Sequence, residues 1–401
     1  MNKTFDLILY GATGFVGQQA IAYLAKHAAS NTRWAIAGRS LAKLEAARDA
    51  VAHEHPSVKE MAMVVADAQD EKALSTLAAS TRVVLSCAGP YALYGSKLVA
   101  ACVKHQTHYC DITGETPWIR QMIDAHHAKA EKDGTRIVPS CGFDSVPSDL
   151  GAYLLLREMK KRHKQDCIKI KAAFSLGGGG LNGGTLASVM NMIESKQSKA
   201  LNDPFLLNPA GTVPKDVSAH RDPLGAHHDE DFNAWLGLFV MGPVNTRVVR
   251  RSLALRGQQA SYQEYLRFGR SLVAGAVAGS FGVGSKISMG LLEISPLRKL
   301  AQRMMAQPGQ GPSAASMARG FFKIDVIGQS AQGHQLRVVI GDSLDAGNGA
   351  TVKMMCESAL ALAENEDQLP KASGVITPSV ALGEVLERRL AAAGMRVEIS
   401  G

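Results

Sequence analysis

Three features that define other classes of protein are missing from this sequence of 401 residues. Its six cysteines have no C-x-x-C spacing, which argues against a disulfide framework and a structural zinc site. Aromatic residues make up only 5% of the chain and no nucleic-acid-binding motif occurs, so we expect no nucleic-acid partner. The adjacent histidines at 126–127 and 227–228 would face different directions on regular structure, so we predict no metal site.

The N-terminus has no secretory signal pattern, because a polar start leads directly into a strand pattern, and we expect a cytoplasmic protein. The uncharged segment between Ser271 and Gly284 is shorter than the roughly 20 residues that span a bilayer. We expect it to be a buried segment or a loop. The alternative is contact with an acyl chain or with the surface of the inner membrane, which Arg267, Arg270 and Lys286 at its edges would favour.

The composition that is present, 46% hydrophobic and 20% charged residues, is typical of a globular α/β protein. The net charge is +8, and basic residues cluster at 160–164 and 247–251. A basic surface attracts phosphorylated cofactors, acidic carrier proteins or anionic lipid, although each cluster could simply be a solvated helix face.

The pattern of apolar residues predicts two kinds of sheet. In residues 1–150, short apolar strands alternate with single helices, which indicates a doubly wound parallel sheet of the Rossmann type. In residues 151–347, the longer alternating strands at 168–176, 245–255, 321–329 and 335–341 predict an inserted α/β domain with a largely antiparallel sheet. Residues 348–401 read as helices that could return to the first domain.

A glycine-rich loop joins the first strand to the first helix. Gly11 allows the turn, Gly14 lets a pyrophosphate approach the backbone, and Gly17 lets the helix pack on the sheet. Together with Thr13, Phe15 and Val16, these glycines predict a dinucleotide site at the helix N-terminus.

The end of the second strand selects the dinucleotide. An NAD enzyme usually has a carboxylate there, whereas this chain has Arg39 and Ser40, with Lys43 one turn along the next helix. Arginine pairs well with a phosphate, so we predict NADP, used as NADPH. The alternative is a helix-capping Ser40 beside a surface Arg39.

Further cofactor contacts are expected where later strands end. Asp67 could reach the adenine amino group or cap the following helix. The small residues of the Cys87-Ala88-Gly89-Pro90 loop would allow close approach of the nicotinamide ribose, and we also assign Gly142 to the cofactor site.

Polar residues at the same sheet edge are candidates for the proton donor. They are Tyr91, Asp111 and Asp144, and Glu115 is a further candidate for binding. No tyrosine has a lysine four residues later, which excludes the tyrosine–lysine chemistry of short-chain dehydrogenases.

Together these motifs resemble the saccharopine dehydrogenase-like family, in particular its bacterial branch of trans-acting enoyl reductases. The resemblance rests on GATGFVG (11–17), AGRS (37–40), CAGPY (87–91), YCDITGE (109–115), CGFDSVPSDLG (141–151), GGT (183–185), PGQGPS (308–313) and the closing GVITPSVALGEVLERRL (374–390). It implies a Rossmann domain completed by C-terminal helices, with an inserted domain that closes over the site.

We therefore expect an NADP-dependent oxidoreductase that reduces a C=C bond of an acyl or lipid-like substrate, held on a carrier or free as a small molecule. Reduction of an imine, as in saccharopine reductases, is an alternative, and a non-catalytic NADP-binding sensor or scaffold is another. The sequence is also compatible with a homodimer.

Overall fold

The computed structural model describes residues 3–180, 182–195, 197–214, 216–304 and 309–401. Strands and helices alternate through the first third of these residues, as expected. The strands are β1 (Phe5–Tyr10), β2 (Trp34–Gly38), β3 (Ala62–Val65), β4 (Thr81–Ser86), β5 (His108–Asp111), β6 (Arg136–Val138), β7 (Cys167–Gly177), β8 (His227–Asp229), β9 (Ala234–Gly237), β10 (Ser261–Gly269), β11 (Phe321–Ser330), β12 (Gln335–Asp342), β13 (Gly374–Val375) and β14 (Arg396–Ser400). The α-helices are α1 (Phe15–His27), α2 (Leu41–Ala52), α3 (Glu71–Ser80), α4 (Tyr91–Tyr94), α5 (Ser96–Lys104), α6 (Thr116–Lys132), α7 (Val146–His163), α8 (Gly183–Glu194), α9 (Gly242–Leu255), α10 (Leu272–Glu293), α11 (Ser295–Met304), α12 (Ala314–Met317), α13 (Thr351–Glu364) and α14 (Pro378–Ala392).

The first sheet is parallel, with the order β13-β6-β5-β4-β1-β2-β3. Apolar strand residues are buried on both of its faces, and α1 buries Val16, Ala20, Ile21 and Leu24 at helical spacing. The strand order reverses next to β1, where its carboxyl end meets the glycine loop. This sheet confirms the doubly wound Rossmann prediction, and the reversal is the point where ligands bind in such folds.

The second sheet has the order β14-β12-β11-β7-β10-β9-β8 and is largely antiparallel, as expected. Within the described residues, β7 and β10 are the only neighbours in this sheet that pair in parallel. The turn after Ser330 joins β11 to β12 as a hairpin.

Two predictions in this second domain are wrong. Residues 245–255, expected as a strand, belong to helix α9, which begins with Gly242 and Pro243 and buries Val244, Val248 and Val249 along one side. Valine is common in strands, but packing of this face against its neighbours overrides the propensity. The segment between Ser271 and Gly284 is neither a loop nor buried, because it forms most of α10, whose side chains are largely exposed. Among the described residues, α10 is long and apolar enough to cross a membrane by length and composition alone.

The basic cluster at 247–251 does not lie on the surface of the protein. Arg247, Arg250 and Arg251 are 1–2% exposed, and their guanidinium groups donate mainly to backbone carbonyl oxygens. Arg250, for example, donates to the carbonyls of Pro204 (3.1 Å) and Tyr262 (3.0 Å). These arginines join α9 to its surroundings, because a buried guanidinium needs several acceptors. The cluster at 160–164 does lie mostly on the surface.

The last segment contributes to both sheets. Helix α13 packs against α1, β4 and β5, and β13 extends the parallel sheet beside β6. The final strand, β14, pairs with β12 in the second sheet. We predicted only helices here, so β13 and β14 are both corrections. The alternating pattern of β14 suits an edge strand with one face on the protein.

Candidate active site

The glycine loop has the geometry that a pyrophosphate requires. Gly11 has φ +85°, and a Cβ there would lie 2.9 Å from the backbone nitrogen of Ala88. A Cβ on Gly17 would collide with the carbonyl oxygen of Gly11. At Gly14 the nearest protein atom to a Cβ would be 3.4 Å away, so packing within the chain does not demand glycine there. Glycine is needed at this position when a ligand approaches the backbone closely. The N-terminus of α1 is open to an anion, because the helix has neither a side-chain cap nor an acidic residue in its first turn.

The corner beyond β2 is basic. Arg39 and Lys43 are exposed, and neither has an ion-pair partner among the described residues. Ser40 occupies the N-cap position of α2, as the alternative interpretation expected, but its side chain makes no capping hydrogen bond. These three residues can therefore surround a 2′-phosphate with two positive charges and a hydroxyl.

Asp67 lies close to this corner. Its carboxylate and the Arg39 guanidinium act in opposite directions on the pKa of Tyr10, which burial raises to about 12. Asp67 accepts a hydrogen bond from the backbone nitrogen of Gln69 at 2.8 Å. The cap of α3 is Asp70, so the suggestion that Asp67 caps that helix is wrong. The adenine contact stays a prediction.

The Cys87–Pro90 loop follows β4 and lies beside the glycine loop. The backbone nitrogen of Cys87 donates to the carbonyl of Tyr10 at 2.8 Å, which fixes this loop to the end of β1. Burial raises the pKa of the Cys87 thiol to about 12, so the side chain stays neutral. Gly142, in contrast, packs within the protein, since a Cβ there would lie 3.2 Å from the Thr351 Cγ2 atom.

Two of the three proton-donor candidates are held by the protein itself. The Tyr91 hydroxyl donates to the carbonyl of Ser86 at 3.0 Å and accepts from the backbone nitrogen of Ile112 at 3.4 Å. Asp111 is fully buried and accepts from Tyr109 Oη (2.8 Å) and from the backbone nitrogens of Thr113 (2.9 Å) and Ser140 (3.1 Å). Burial nevertheless raises the pKa of Asp111 to about 7. Both residues order the loops after β4, β5 and β6.

Asp144 differs from both. It lies in the loop after β6, is only partly buried, and has no hydrogen-bond partner among the described residues. Burial raises the pKa of its carboxyl group to about 6. A free carboxyl group that titrates near neutrality at the edge of a Rossmann sheet can hold or deliver a proton.

The second domain forms a roof over this edge through α8 and the residues before α12. The Ser188 hydroxyl of α8 donates to Glu115 Oε1 at 2.8 Å. The same Glu115 carboxylate accepts from the backbone nitrogens of Tyr91 (2.7 Å) and Ala92 (3.0 Å), so it joins α8 to the start of α4. On the cofactor side, a Cβ on Gly311 would overlap the Phe15 ring, which places this segment directly over the glycine loop.

These roof contacts could not be predicted from local sequence patterns. Asn182 caps α8 and donates to Asn348 Oδ1 at 3.1 Å, and Asn348 in turn donates to Asp345. The GGT motif at 183–185 marked the start of α8, but nothing local connects it with residues some 165 positions later. Pro308, the first residue of the PGQGPS motif, lies outside the described residues.

Among the described residues, no group of three or more metal-ligating side chains occurs. A parallel sheet with a glycine loop, a basic corner and an inserted roof defines the class: an NAD(P)H-dependent oxidoreductase with a Rossmann domain.

Comparison with known proteins identifies the family. Residues 7–138 match the saccharopine dehydrogenase NADP binding domain. A trans-acting enoyl reductase from Mycobacterium ulcerans is 35% identical over 99% of this chain and 98% of its own length. One from Mycobacterium tuberculosis is 34% identical over 98% of this chain and 97% of its own length. The chain belongs to the saccharopine dehydrogenase-like family, in its branch of trans-acting enoyl reductases, and its cofactor is NADP(H).

Two solved structures share the fold over nearly the whole chain. Saccharopine dehydrogenase from Saccharomyces cerevisiae has a TM-score of 0.53 at 11% identity and covers 98% of this chain and 99% of its own. Homospermidine synthase from Legionella pneumophila, solved with NAD, has a TM-score of 0.51 at 10% identity and covers 98% and 90%. At these identities the likeness concerns the architecture alone.

Proposed function

We propose that this oxidoreductase reduces the carbon–carbon double bond of an enoyl group held as a thioester on a carrier. The relatives named trans-acting enoyl reductase support this reaction. The observation that carries the proposal is the character of α8, which covers the loop after β4 and has no charged side chain before Glu194. An amino-acid dicarboxylate would need basic partners from such a roof, whereas an acyl chain needs apolar ones.

The chemistry divides between cofactor and protein. NADPH supplies a hydride, which would add to the β-carbon of the enoyl thioester while the double-bond electrons move toward the α-carbon and the thioester carbonyl. The α-carbon must then receive a proton. We assign this proton to the carboxyl group of Asp144, directly or through one water, because Tyr91 and Asp111 already hold internal hydrogen bonds.

The basic corner and the glycine loop would hold the dinucleotide. Arg39, Ser40 and Lys43 would bind the 2′-phosphate, and the N-terminus of α1 would bind the pyrophosphate. The contact between Glu115 and Ser188 would keep the roof in register with the loop after β4, which we expect to face the nicotinamide ribose.

The test is oxidation of NADPH by the purified protein with enoyl thioesters of increasing chain length, each offered on a pantetheine arm and on an acyl carrier protein. We expect a saturated thioester two mass units heavier, and faster turnover of the carrier-bound substrate. A protein that instead reduces an imine formed from an amino acid and an aldehyde would support the saccharopine reductase alternative. One that binds NADPH but oxidises none in either panel would support the sensor.

A further inference from the structure

The surface formed by α10 and α11 has the opposite polarity to an ordinary surface helix. Val273, Val277, Ile287 and Leu291 lie along one stripe of α10 at helical spacing, and they are 46–72% exposed. The opposite side carries Gly275, Ala278 and Gly282, which are the buried residues of this helix. The apolar stripe therefore faces away from the protein, in contrast to the usual arrangement of a soluble domain.

The charges of α10 do not lie on the stripe. Lys286 and Glu293 are its only charged residues, and the 100° rotation per residue places both on the same side as Gly275 and Gly282. Around the helix, Leu272, Val283 and Phe281 widen the exposed apolar surface, and Ile294, Leu297 and Leu300 continue it into α11. Exposed apolar surface of this extent marks a binding surface.

The surroundings of the stripe are basic. Residues 270–304 contain five basic residues and one acidic residue. Arg270, Lys286, Lys299 and Arg303 are exposed, and none has an ion-pair partner among the described residues. Arg298 is the exception, since its guanidinium lies 3.5 Å from the Glu194 carboxylate. An apolar stripe edged by cations complements a surface with an apolar interior and anionic head groups.

The path of the chain rules out a single crossing. Helix α10 is about 33 Å long, enough to span a bilayer. However, the strands on either side, β10 and β11, both pair with β7 in the same sheet, so the chain must return to the side from which it left. The first half of α10 is also seated on this sheet, since a Cβ on Gly275 would lie 2.6 Å from the Trp235 ring. The helix can lie in a membrane surface but cannot pass through it once.

We propose that α10 and α11 form a docking surface for an anionic lipid membrane, with the apolar stripe among the acyl chains and the basic residues at the head groups. The contacts of Arg298 and Gln302 with Glu194 join this surface to the end of α8, the helix that roofs the active site. The docked face therefore contacts the helix that forms part of the roof of the active site. Membrane docking requires only this surface and does not depend on which substrate is reduced.

Co-flotation of the full-length protein with vesicles tests the proposal. We expect it to float with vesicles of phosphatidylcholine and phosphatidylglycerol, and to float much less with phosphatidylcholine alone or at high salt. Val273→Glu/Ile287→Glu should weaken binding by about 100-fold or more, because two apolar side chains become charged in the acyl region. Lys299→Glu/Arg303→Glu should weaken binding to the anionic vesicles, by roughly fivefold or more for each side chain.

The matched control is Ile168→Glu, which changes an isoleucine on β7 that is 51% exposed, close to the 58% of Ile287. It should float like the unchanged protein. Binding of NADPH by every variant shows that the fold is intact. The proposal is overturned if the unchanged protein floats with neither vesicle, or if Ile168→Glu loses binding as strongly as the stripe variant. It is equally overturned if the protein is a dimer in solution that stripe substitutions dissociate while flotation is unaffected, because the stripe then binds a second copy.

Discussion

Replacement of Asp144 by asparagine should make the protein more stable and the enzyme slower. The pKa of this carboxyl group is about 6 in the folded protein and 3.8 in an unconstrained chain, and burial causes the difference. Each pKa unit corresponds to about 1.36 kcal/mol, so ionisation of Asp144 costs the folded state up to about 3 kcal/mol at neutral pH. Because the side chain keeps some contact with solvent, we expect about 1–2 kcal/mol in practice.

The sign of the pH dependence follows from the raised pKa. Below about pH 3.8 the carboxyl group is neutral in both states, so Asp144→Asn should change the free energy of unfolding little. Between about pH 3.8 and pH 6 the unfolded chain ionises at this carboxyl group while the folded protein still holds the proton, so the variant should gain relative stability across this range and reach a plateau above pH 6. No partner is orphaned by the change, because Asp144 makes no hydrogen bond within the described residues.

Urea denaturation between pH 4 and 8 measures the effect, with Asp166→Asn as the control at an exposed acid near Lys160. In the same protein, the rate of enoyl reduction should fall by about 100-fold or more, and the decline of the rate above pH 6 should disappear. A variant that is less stable than the original protein at pH 7.5 would refute the argument from burial. Full activity with an unchanged pH profile would refute the assignment of the proton.

Three further changes test the cofactor corner, the roof and the buried arginines. Arg39→Ala should weaken NADPH binding by about 10- to 100-fold and leave NAD binding unchanged in titrations, because it removes a charge-assisted hydrogen bond to the 2′-phosphate. Glu115→Gln should lower the free energy of unfolding by about 1–3 kcal/mol and raise KM more than it lowers kcat, because three donors share this carboxylate. Arg250→Met should lower the free energy of unfolding by about 2–4 kcal/mol in urea denaturation, because two buried carbonyl groups lose their donor.

Each of these changes has a matched control on the same or a comparable element. Arg48→Ala, on α2 but paired with Asp49, should leave NADPH binding intact. If Arg39→Ala keeps an unchanged preference for NADPH over NAD, the basic corner does not bind the 2′-phosphate. Glu131→Gln on the exposed side of α6 should alter neither stability nor KM. If Glu115→Gln behaves in the same way, the Glu115 carboxylate does not hold the roof in place. If Arg250→Met is as stable as Lys160→Met, the hydrogen bonds of the buried Arg250 guanidinium do not contribute to the free energy of unfolding.

The parallel sheet and the cofactor could both be predicted from sequence patterns alone. Both are read from patterns within about forty residues, since a βαβ unit and its phosphate loop are built from neighbouring segments of the chain. Gly11 and Gly17 predict the turn because the backbone conformation or the close packing permits few other residues there, and Arg39 lies next to the strand that positions it. The same reasoning failed at residues 245–255. The β-branched residues there suggested a strand, but packing against buried neighbours stabilises a helix.

Which polar residues lack internal hydrogen bonds, and which surfaces are exposed, depends on how distant segments pack together. Asp111 and Asp144 look alike in sequence, since both follow a strand of the parallel sheet. Asp111 accepts three hydrogen bonds, one from Tyr109 on β5 and one from each of the loops after β5 and β6, while Asp144 accepts none within the described residues. Likewise, the uncharged segment after Ser271 is exposed to solvent, whereas the charged arginines of α9 are buried in the protein. Burial depends on contacts between distant segments, and local composition does not encode those contacts.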